Sequence, residues 1–553
     1  MEHKLLTALR ERVTAGLKRK TITTCSKWSK AYRIMGKPFP GPWTNKWHPW
    51  TDEMMDCKSE LMVGEKAAQM AYTEVCLNKT FFNIDVKAES VLYVLPASKP
   101  DAHDFSTGRF DPALEASPHL QQMFTDVQNI GHKRAGNANL YIRGSRSRSQ
   151  LKSIPVPNMV FDEVDEMAQD NIPLAFERAA GQVSKQILMI STPTVDNYGI
   201  DKYYQNTTQE HFFFRCMKCG KLTELIFPEC LVITAEDITD KNIANSYIKC
   251  KECDGKIPHT DKWKWFESGL WVPKYTDRES RGFHINQLYS SAVAGRPSEL
   301  ARGYLKSLTN PADEQEFFNS KLGEVHIVDG AAVTDIEIEE CIGNHIMINS
   351  KKAVKMVTIG IDVGKWLHYE IDEWTITPIP GIPDLALSST CKVLKAGKVI
   401  TFNEIIQLLR VFEITAGVID ANPEYRKALE LCRACQGMMR MCYYSSSNTS
   451  KNIVVHDDKE FTITVDRTAW MDVGLGRFHN RTITLPINIP FEYKKHVKAP
   501  IRIYEKDKNG NPIGRYVTKD NVQDHHAHAR TYAEIALEVG ASFGMHEDLS
   551  GII

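Results

Sequence analysis

The sequence predicts an α/β protein, and three stretches carry that prediction. Ser90 to Leu95 (Ser-Val-Leu-Tyr-Val-Leu) is a buried-type strand ending at Pro96. Met159 to Phe161 is a second short apolar strand, running straight into Asp162 and Glu163. Lys355 to Gly364 (Lys-Met-Val-Thr-Ile-Gly-Ile-Asp-Val-Gly) is a third, and it delivers Asp362 at its end. Strands of this kind separated by helical stretches suggest parallel, doubly wound sheets.

At 553 residues the chain is too long for one core, so several domains are expected. Its 42% hydrophobic and 25% charged content is that of a globular protein. No apolar run approaches the length of a membrane span, and the start (Met-Glu-His-Lys-Leu-Leu-Thr-Ala-Leu-Arg) is amphipathic and unlike a signal peptide. The net charge of −1 neither favours nor excludes nucleic acid. A DNA path would have to use local basic patches, such as Arg143, Arg146 and Arg148. Thirteen cysteines, an odd number, imply a reducing cytoplasm, with any paired cysteines on metal.

Residues 1–35 read as helical and basic. A Pro/Gly segment, Gly36 to Trp43, leads into Trp47-His48-Pro49-Trp50. The tryptophans are either a platform for an adenine ring or a hydrophobic clasp over the core. Glu60 to Gly64 reads as a strand, and a helix opens near Thr73. Strand, loop and helix form the context of a phosphate site, because amides at a helix start face the anion. The usual Gly-x-x-x-x-Gly-Lys-Ser/Thr pattern is absent: Ala71 and Tyr72 stand where its second glycine and lysine belong. Lys66, upstream, offers the positive charge.

The Asp162-Glu163 strand end has the form of a Mg²⁺-holding strand in nucleotide hydrolases, where the next carboxylate orients a water. It also has the form of an ordinary strand leaving the core. A further strand, Lys185 to Ile190, ends in Ser191-Thr192-Pro193-Thr194, a hydroxyl cluster placed where motor ATPases sense a γ-phosphate. Cys216-Met-Lys-Cys219 and Cys250-Lys-Glu-Cys253 follow. Two such knuckles suit one tetrahedral thiolate site for Zn²⁺, a zinc ribbon. Cys432 and Cys435 share the spacing without a partner pair, and core packing is the better reading for them.

Residues 330–352 read as a linker with a short helix. Beyond them, Lys355–Gly364 delivers Asp362, and Ala416 to Asp420 delivers Asp420. Asp524 sits at the start of a helix running through Leu537. Three carboxylates on two strand ends and a helix start suit a two-metal phosphodiesterase. Singly, each is an ordinary strand end or cap. Glu424 is a weaker fourth candidate, and His525, His526 and His528 stay outside the core set.

With these landmarks in order, the chain resembles the large terminase subunits of tailed double-stranded DNA phages, the lambda-like branch. The matching residues are Phe39-Pro40-Gly41-Pro42-Trp43, His48-Pro49-Trp50, Lys66 to Glu74, Ser149 to Ser153, Phe161-Asp162-Glu163, Ser191 to Thr194, both cysteine knuckles, Gly360 to Gly364, Val418 to Asp420, and Asp524-His525. This branch uses a deviant phosphate loop with an upstream lysine, like Lys66. Ala71 departs from the glycine usual there, so the position must not require φ > 0.

The resemblance implies an α/β fold: a P-loop ATPase core over residues 1–329 with a zinc-ribbon insertion at 211–275, a linker at 330–352, and a ribonuclease-H-like nuclease over 353–553. It implies ATP binding by Lys66, Gln69, Thr73 and Asp162, catalysis by Glu163, and coupling through Ser191 and Thr192. It implies Zn²⁺ on Cys216, Cys219, Cys250 and Cys253. Mg²⁺ or Mn²⁺ would sit on Asp362, Asp420 and Asp524, which would cut DNA. The implied partners are double-stranded DNA, a small terminase subunit and the portal of a procapsid, with the chain docked as a homo-oligomeric ring in the host cell cytoplasm and no membrane. Competing readings are a helicase or DNA remodeller with an inactive second domain, a transposase-like nuclease, and a zinc-binding scaffold.

Overall fold

A computed structural model describes residues 22–542 except 38–39, 126, 153, 352–354, 380–383, 446–452, 458, 460 and 507–511; of the first 21 residues, only 6, 7 and 10 are described. Phe39 and Ser153, two residues of the sequence motifs, and most of the basic N-terminal stretch lie outside the described residues. The chain divides into two compact units, Met1–Ile327 and Val328–Ile553.

The first unit is organised by an eleven-stranded sheet. Its parallel centre runs, in spatial order, Glu210–Arg215, Arg281–Ile285, Leu61–Lys66, Gln186–Ser191, Asn158–Asp162, Val91–Leu95 and Ala138–Gly144. Every residue of the Val91–Leu95, Asn158–Asp162 and Gln186–Ser191 strands is buried, which is why they read as continuous apolar runs rather than alternating ones. The expected strand Glu60 to Gly64 is longer, Leu61–Lys66, so Lys66 ends a strand instead of lying in a loop. A short helix, Ile172–Phe176, lies between the Asn158–Asp162 and Gln186–Ser191 strands.

The 216–280 excursion leaves and returns between two neighbouring parallel strands. It carries a small antiparallel sheet, Leu231–Val232, Tyr247–Lys249 and Lys256–Ile257.

The second unit holds an eight-stranded sheet centred on Val357–Val363. That strand runs antiparallel to Leu367–Ile376 and parallel to Ala416–Asp420, which in turn runs parallel to Met439–Ser445. The C-terminal helix His525–Ser542 lies directly on the central strand at Gly360, where an added Cβ would stand 2.0 Å from the Ala529 carbonyl oxygen and 2.2 Å from the Ala533 nitrogen. Only a residue without a side chain permits that approach.

The segment expected to be a linker, 330–352, is part of this unit. Val333, Ile338 and Cys341 are buried with Phe478 and Leu485, and Gly343 donates its amide to the Leu485 carbonyl at 2.8 Å. Apolar residues at these positions give the segment a face to bury, so it docks rather than spans. Its helix, Asp335–Glu340, starts with a capping box between Thr334 and Glu337.

Candidate active sites

In the first unit, two strand ends meet across the sheet. Lys66 ends one strand and Asp162 another, with the Gln186–Ser191 strand between them. Lys66 Nζ lies 3.4 Å from Glu163 Oε1. The lysine is almost fully covered, whereas Glu163 is half open to solvent. Asp162 is buried, and Tyr93 donates its phenolic hydroxyl to Asp162 Oδ2 at 2.7 Å. Burial pushes the Asp162 carboxyl up to about 6, and Glu163 adds to this; Lys66 and the hydroxyls of Tyr93 and Thr73 pull the other way. Glu163 itself has φ +63, a strained conformation held by its amide bond to the Ile190 carbonyl at 2.9 Å.

The loop between strand and helix is wound through two left-handed residues, Gln69 at φ +61 and Ala71 at φ +66. Ala71 therefore contradicts the expectation that a methyl-bearing residue would avoid φ > 0 here. The helix Tyr72–Asp85 begins immediately after it, and the turn is held from outside. Trp50, fully buried, donates its indole N–H to the Met70 carbonyl at 2.9 Å, and Gln287 donates to the Ala68 carbonyl at 3.0 Å.

A pocket of about 660 Å³ opens over this loop. Trp43, Trp47, Gln69, Thr73, Glu163 and Thr192 are among its lining residues, together with Lys66 and Arg109. The tryptophans thus divide between the two roles read from the sequence: Trp50 is a clasp, and Trp43 and Trp47 face the pocket. Thr192 lines the pocket. The Ser191 hydroxyl accepts from the Asp165 amide at 3.2 Å and donates to the Thr192 carbonyl at 3.0 Å, tying that strand end to the turn after Glu163.

The four cysteines Cys216, Cys219, Cys250 and Cys253 bring their sulfurs within 4.8 Å of one another. Both knuckles fold alike. The Cys216 amide bonds the Lys221 carbonyl, and the Gly220 amide bonds the Cys216 carbonyl. The Cys250 amide bonds the Gly255 carbonyl, and the Asp254 amide bonds the Cys250 carbonyl. Gly220 at φ +73 and Asp254 at φ +55 make the matching left-handed step. Burial alone would raise the Cys216 thiol, but amide donors at Cys219 and Lys218 bring it to about 7. Cys432 is buried, in keeping with a packing role.

In the second unit, Asp362 and Asp420 follow directly on the paired residues Ile361 and Ile419 of adjacent parallel strands. Burial pushes the Asp420 carboxyl up to about 6; the Asn422 amide opposes this and the Asp362 charge adds to it. Asp524 caps the C-terminal helix, its carbonyl accepting from Ala527 at 2.8 Å. Burial would raise its carboxyl, but His528, 3.4 Å away, and the Thr518 hydroxyl hold it well below the usual range. His525 Nδ1 lies 2.8 Å from Asp362 Oδ2. The donors gathered within 4.8 Å are Asp362, His368 and His525, rather than the three aspartates alone. Glu424 is exposed and pairs with Lys427 at 3.1 Å.

Sequence reasoning missed Tyr93, Arg109 and His368 and set His525 aside. Tyr93 lies inside an apolar run that gives no sign of which face meets Asp162. His525 was visible as a neighbour of Asp524, and only the docking of its helix on Gly360 reveals its partner.

Residues 37–271 match the family model described as phage terminase large subunit gpA, ATPase domain. Residues 37–271 are the ATPase domain of a phage terminase large subunit. The resemblance read from the sequence is thereby borne out. Among solved structures, the terminase is similar to the HK97 bacteriophage large terminase, with 11% identity, a TM-score of 0.47, and coverage of 94% of this chain and 99% of that one. It is similar to the large terminase ATPase domain of Thermus phage P74-26, with 13% identity, a TM-score of 0.30, and coverage of 50% and 92%. It is also similar to the large terminase nuclease of thermophilic phage G20c, with 11% identity, a TM-score of 0.22, and coverage of 37% and 98%. These likenesses are distant, and the assignment rests on the family match. No curated protein matches the terminase chain. Among its described residues, no helix is long and apolar enough to cross a membrane.

Proposed function

We propose that this chain is the motor and the nuclease of a phage DNA-packaging machine, acting in the host cytoplasm. The observation that carries the motor reading is the convergence of Lys66, Thr73 and Glu163 on one pocket beneath a helix N-terminus, with Asp162 buried beside Lys66 and Thr73. ATP fits there: helix-start amides and Lys66 meet the phosphates, and Trp43 or Trp47 offers the base an aromatic face. Asp162 Oδ1 is buried without a hydrogen-bond partner among the described residues, as suits a metal ligand beside the Thr73 hydroxyl. Mg²⁺ held there would supply charge neutralisation as the terminal phosphoryl group leaves. Glu163, half exposed and steered by Lys66, orients the attacking water. Thr192 senses the terminal phosphate, and Ser191 passes its position to the Asp165 turn. Gln69 contributes its loop amide.

The second unit acts as a ribonuclease-H-like, metal-dependent endonuclease. In support, a central strand flanked by an antiparallel hairpin and a parallel strand carries Asp362 beside Asp420 at one sheet edge. Asp362, Asp420 and Asp524 would hold Mg²⁺ or Mn²⁺, which when bound would supply positive charge and a more acidic water for hydrolysis of the DNA backbone. His525 fixes the Asp362 carboxylate. The 216–280 excursion, expected from the sequence at 211–275, is a zinc ribbon, in which Zn²⁺ would close the four-thiolate set as a structural ion. Double-stranded DNA is the substrate, and a small terminase subunit, a portal and further copies of this chain in a ring are the partners. The motor falls to the unit Met1–Ile327 and the nuclease to the unit Val328–Ile553.

The test is encapsidation. The chain, its cognate small subunit, procapsids and DNA are mixed with ATP, and DNase-protected DNA is measured. Protection with the wild type and none with Lys66→Ala is expected. A wild-type chain that hydrolyses ATP yet protects no DNA would contradict the motor reading.

A further inference from the structure

Three histidines from three separate elements of the second unit form a triangle beside the carboxylate site. His368 comes from the Leu367–Ile376 strand, His496 from the Phe491–Lys498 helix and His526 from the first turn of His525–Ser542. Their ring centroids lie 5.6, 5.0 and 5.3 Å apart. One ring nitrogen from each falls within 4.8 Å of the other two. The side chains are 3%, 5% and 1% exposed, so this is an interior site rather than a solvated cluster.

The nitrogens are also unsatisfied. Both ring nitrogens of His368, Nδ1 of His496 and Nδ1 of His526 are buried with no hydrogen-bond partner among the described residues. Each such orphan costs about 1–3 kcal/mol if nothing meets it. Buried polar groups in folded proteins are nearly always paired, and several orphans aimed at one point call for a missing partner. Water can bridge two or three of them, but three imidazoles converging on one point are the donor set of a borderline transition metal.

We propose that His368, His496 and His526 bind a transition-metal ion, Zn²⁺ foremost, with the fourth position open to water. This site is distinct from the four-thiolate knuckle and adjoins the carboxylate site, with which it shares His368 through the Asp362, His368 and His525 group. Neutral imidazole suits Zn²⁺ and not Mg²⁺, so the two kinds of site select different ions. Asp362, which shares a cluster with His368, is the nearest carboxylate in that group; Glu492, one turn before His496, is already paired with Lys398 at 2.7 Å. An imidazole has one lone pair to give a metal, so its second nitrogen keeps its proton. Ligating histidines commonly donate that proton to a carboxylate or a carbonyl, which orients the ring. His368 also stacks on His525 at 4.5 Å, and His525 meets Asp362. The ion thereby pins the strand, both helices and the imidazole beside Asp362 in one arrangement. The inference does not depend on the nuclease reading.

The test is metal analysis of the full chain after dialysis against metal-free buffer. Two tightly held zinc equivalents are expected in the wild type. Cys216→Ser with Cys250→Ser should leave one, His496→Gln should leave one, and all three substitutions should leave none. His525→Gln, which removes a ring stacked on His368 but none of the three proposed ligands, should keep both. One equivalent in the wild type, unchanged by His496→Gln, would overturn the proposal. Should His496→Gln fail to fold, the Cys216→Ser, Cys250→Ser chain loaded with Co²⁺ decides the matter by X-ray absorption. Imidazole scattering from about three nitrogen ligands is expected; no bound cobalt, or cobalt bound by oxygen alone, would overturn the proposal.

Discussion

Lys66 Nζ and Glu163 Oε1 stand 3.4 Å apart although 97 residues separate them in the chain. The contact closes a circuit. The strand that carries Lys66 and the strand that ends at Asp162 each pair with the Gln186–Ser191 strand, and the Ser191 hydroxyl reaches back to the turn after Glu163. A charged lysine buried at a helix start, one carboxylate in the interior and one at the surface make a chemically asymmetric site. The buried carboxylate is placed to hold a cation, and the exposed one to handle water.

Tyr93→Phe should uncouple that asymmetry. It removes the 2.7 Å bond to Asp162 Oδ2 and leaves a buried carboxylate oxygen unmet. The expected cost is about 1–3 kcal/mol of stability. ATP hydrolysis should become more demanding of Mg²⁺, read as a higher Mg²⁺ concentration at half-maximal rate. An unchanged Mg²⁺ dependence would place Asp162 outside the metal site.

Ala71 tests the loop. At φ +66 an alanine carries about 1–2 kcal/mol of strain that glycine does not. Ala71→Gly relieves it but adds freedom to the unfolded chain, so stability should change by less than about 1 kcal/mol. Nucleotide affinity should be kept. Ala71→Val, β-branched at positive φ, should lose nucleotide binding measured by calorimetry. Normal binding by the valine variant would mean that the loop has another conformation in the complex.

Arg530 is fully buried and meets Glu370 and Asp372 at 2.5 Å and Glu534 at 3.0 Å; Arg477 meets the same Glu534 at 2.5 Å. Arg530→Met leaves several carboxylates in the interior with one fewer cation. It should destabilise the second unit by about 3–5 kcal/mol in denaturant titration. A loss below about 1 kcal/mol, the range of exposed pairs, would show that this network is hydrated in solution.

Much of this could be read in the sequence because strand ends announce themselves. An apolar run followed by an acid located Asp162, Asp362 and Asp420, and cysteine spacing located the sulfur cluster. What could not be read depends on packing between distant elements. Gly360 is one residue of an apolar strand in the sequence, yet it is the seat on which the Ala529–Ala533 stretch of the last helix lies. That seat brings His525 to Asp362 and His526 to His368. The linker at 330–352 misled because its apolar residues are interleaved with acids and amides, and only the second unit's core shows what they bury. Ala71 misled because residue type weighs against a left-handed turn that loop closure nevertheless imposes.

The central claim is that two separate sites perform two separate hydrolyses. The direct measurement compares full-length wild type, Glu163→Gln and Asp420→Asn in two assays: ATP hydrolysis with DNA present, and plasmid cleavage with Mn²⁺. Glu163→Gln should lose ATP hydrolysis by about 100-fold or more, as expected when a water-positioning group is removed, and keep cleavage. Asp420→Asn should lose cleavage and keep ATP hydrolysis. Wild-type cleavage by Asp420→Asn, or wild-type ATP turnover by Glu163→Gln, would contradict the account.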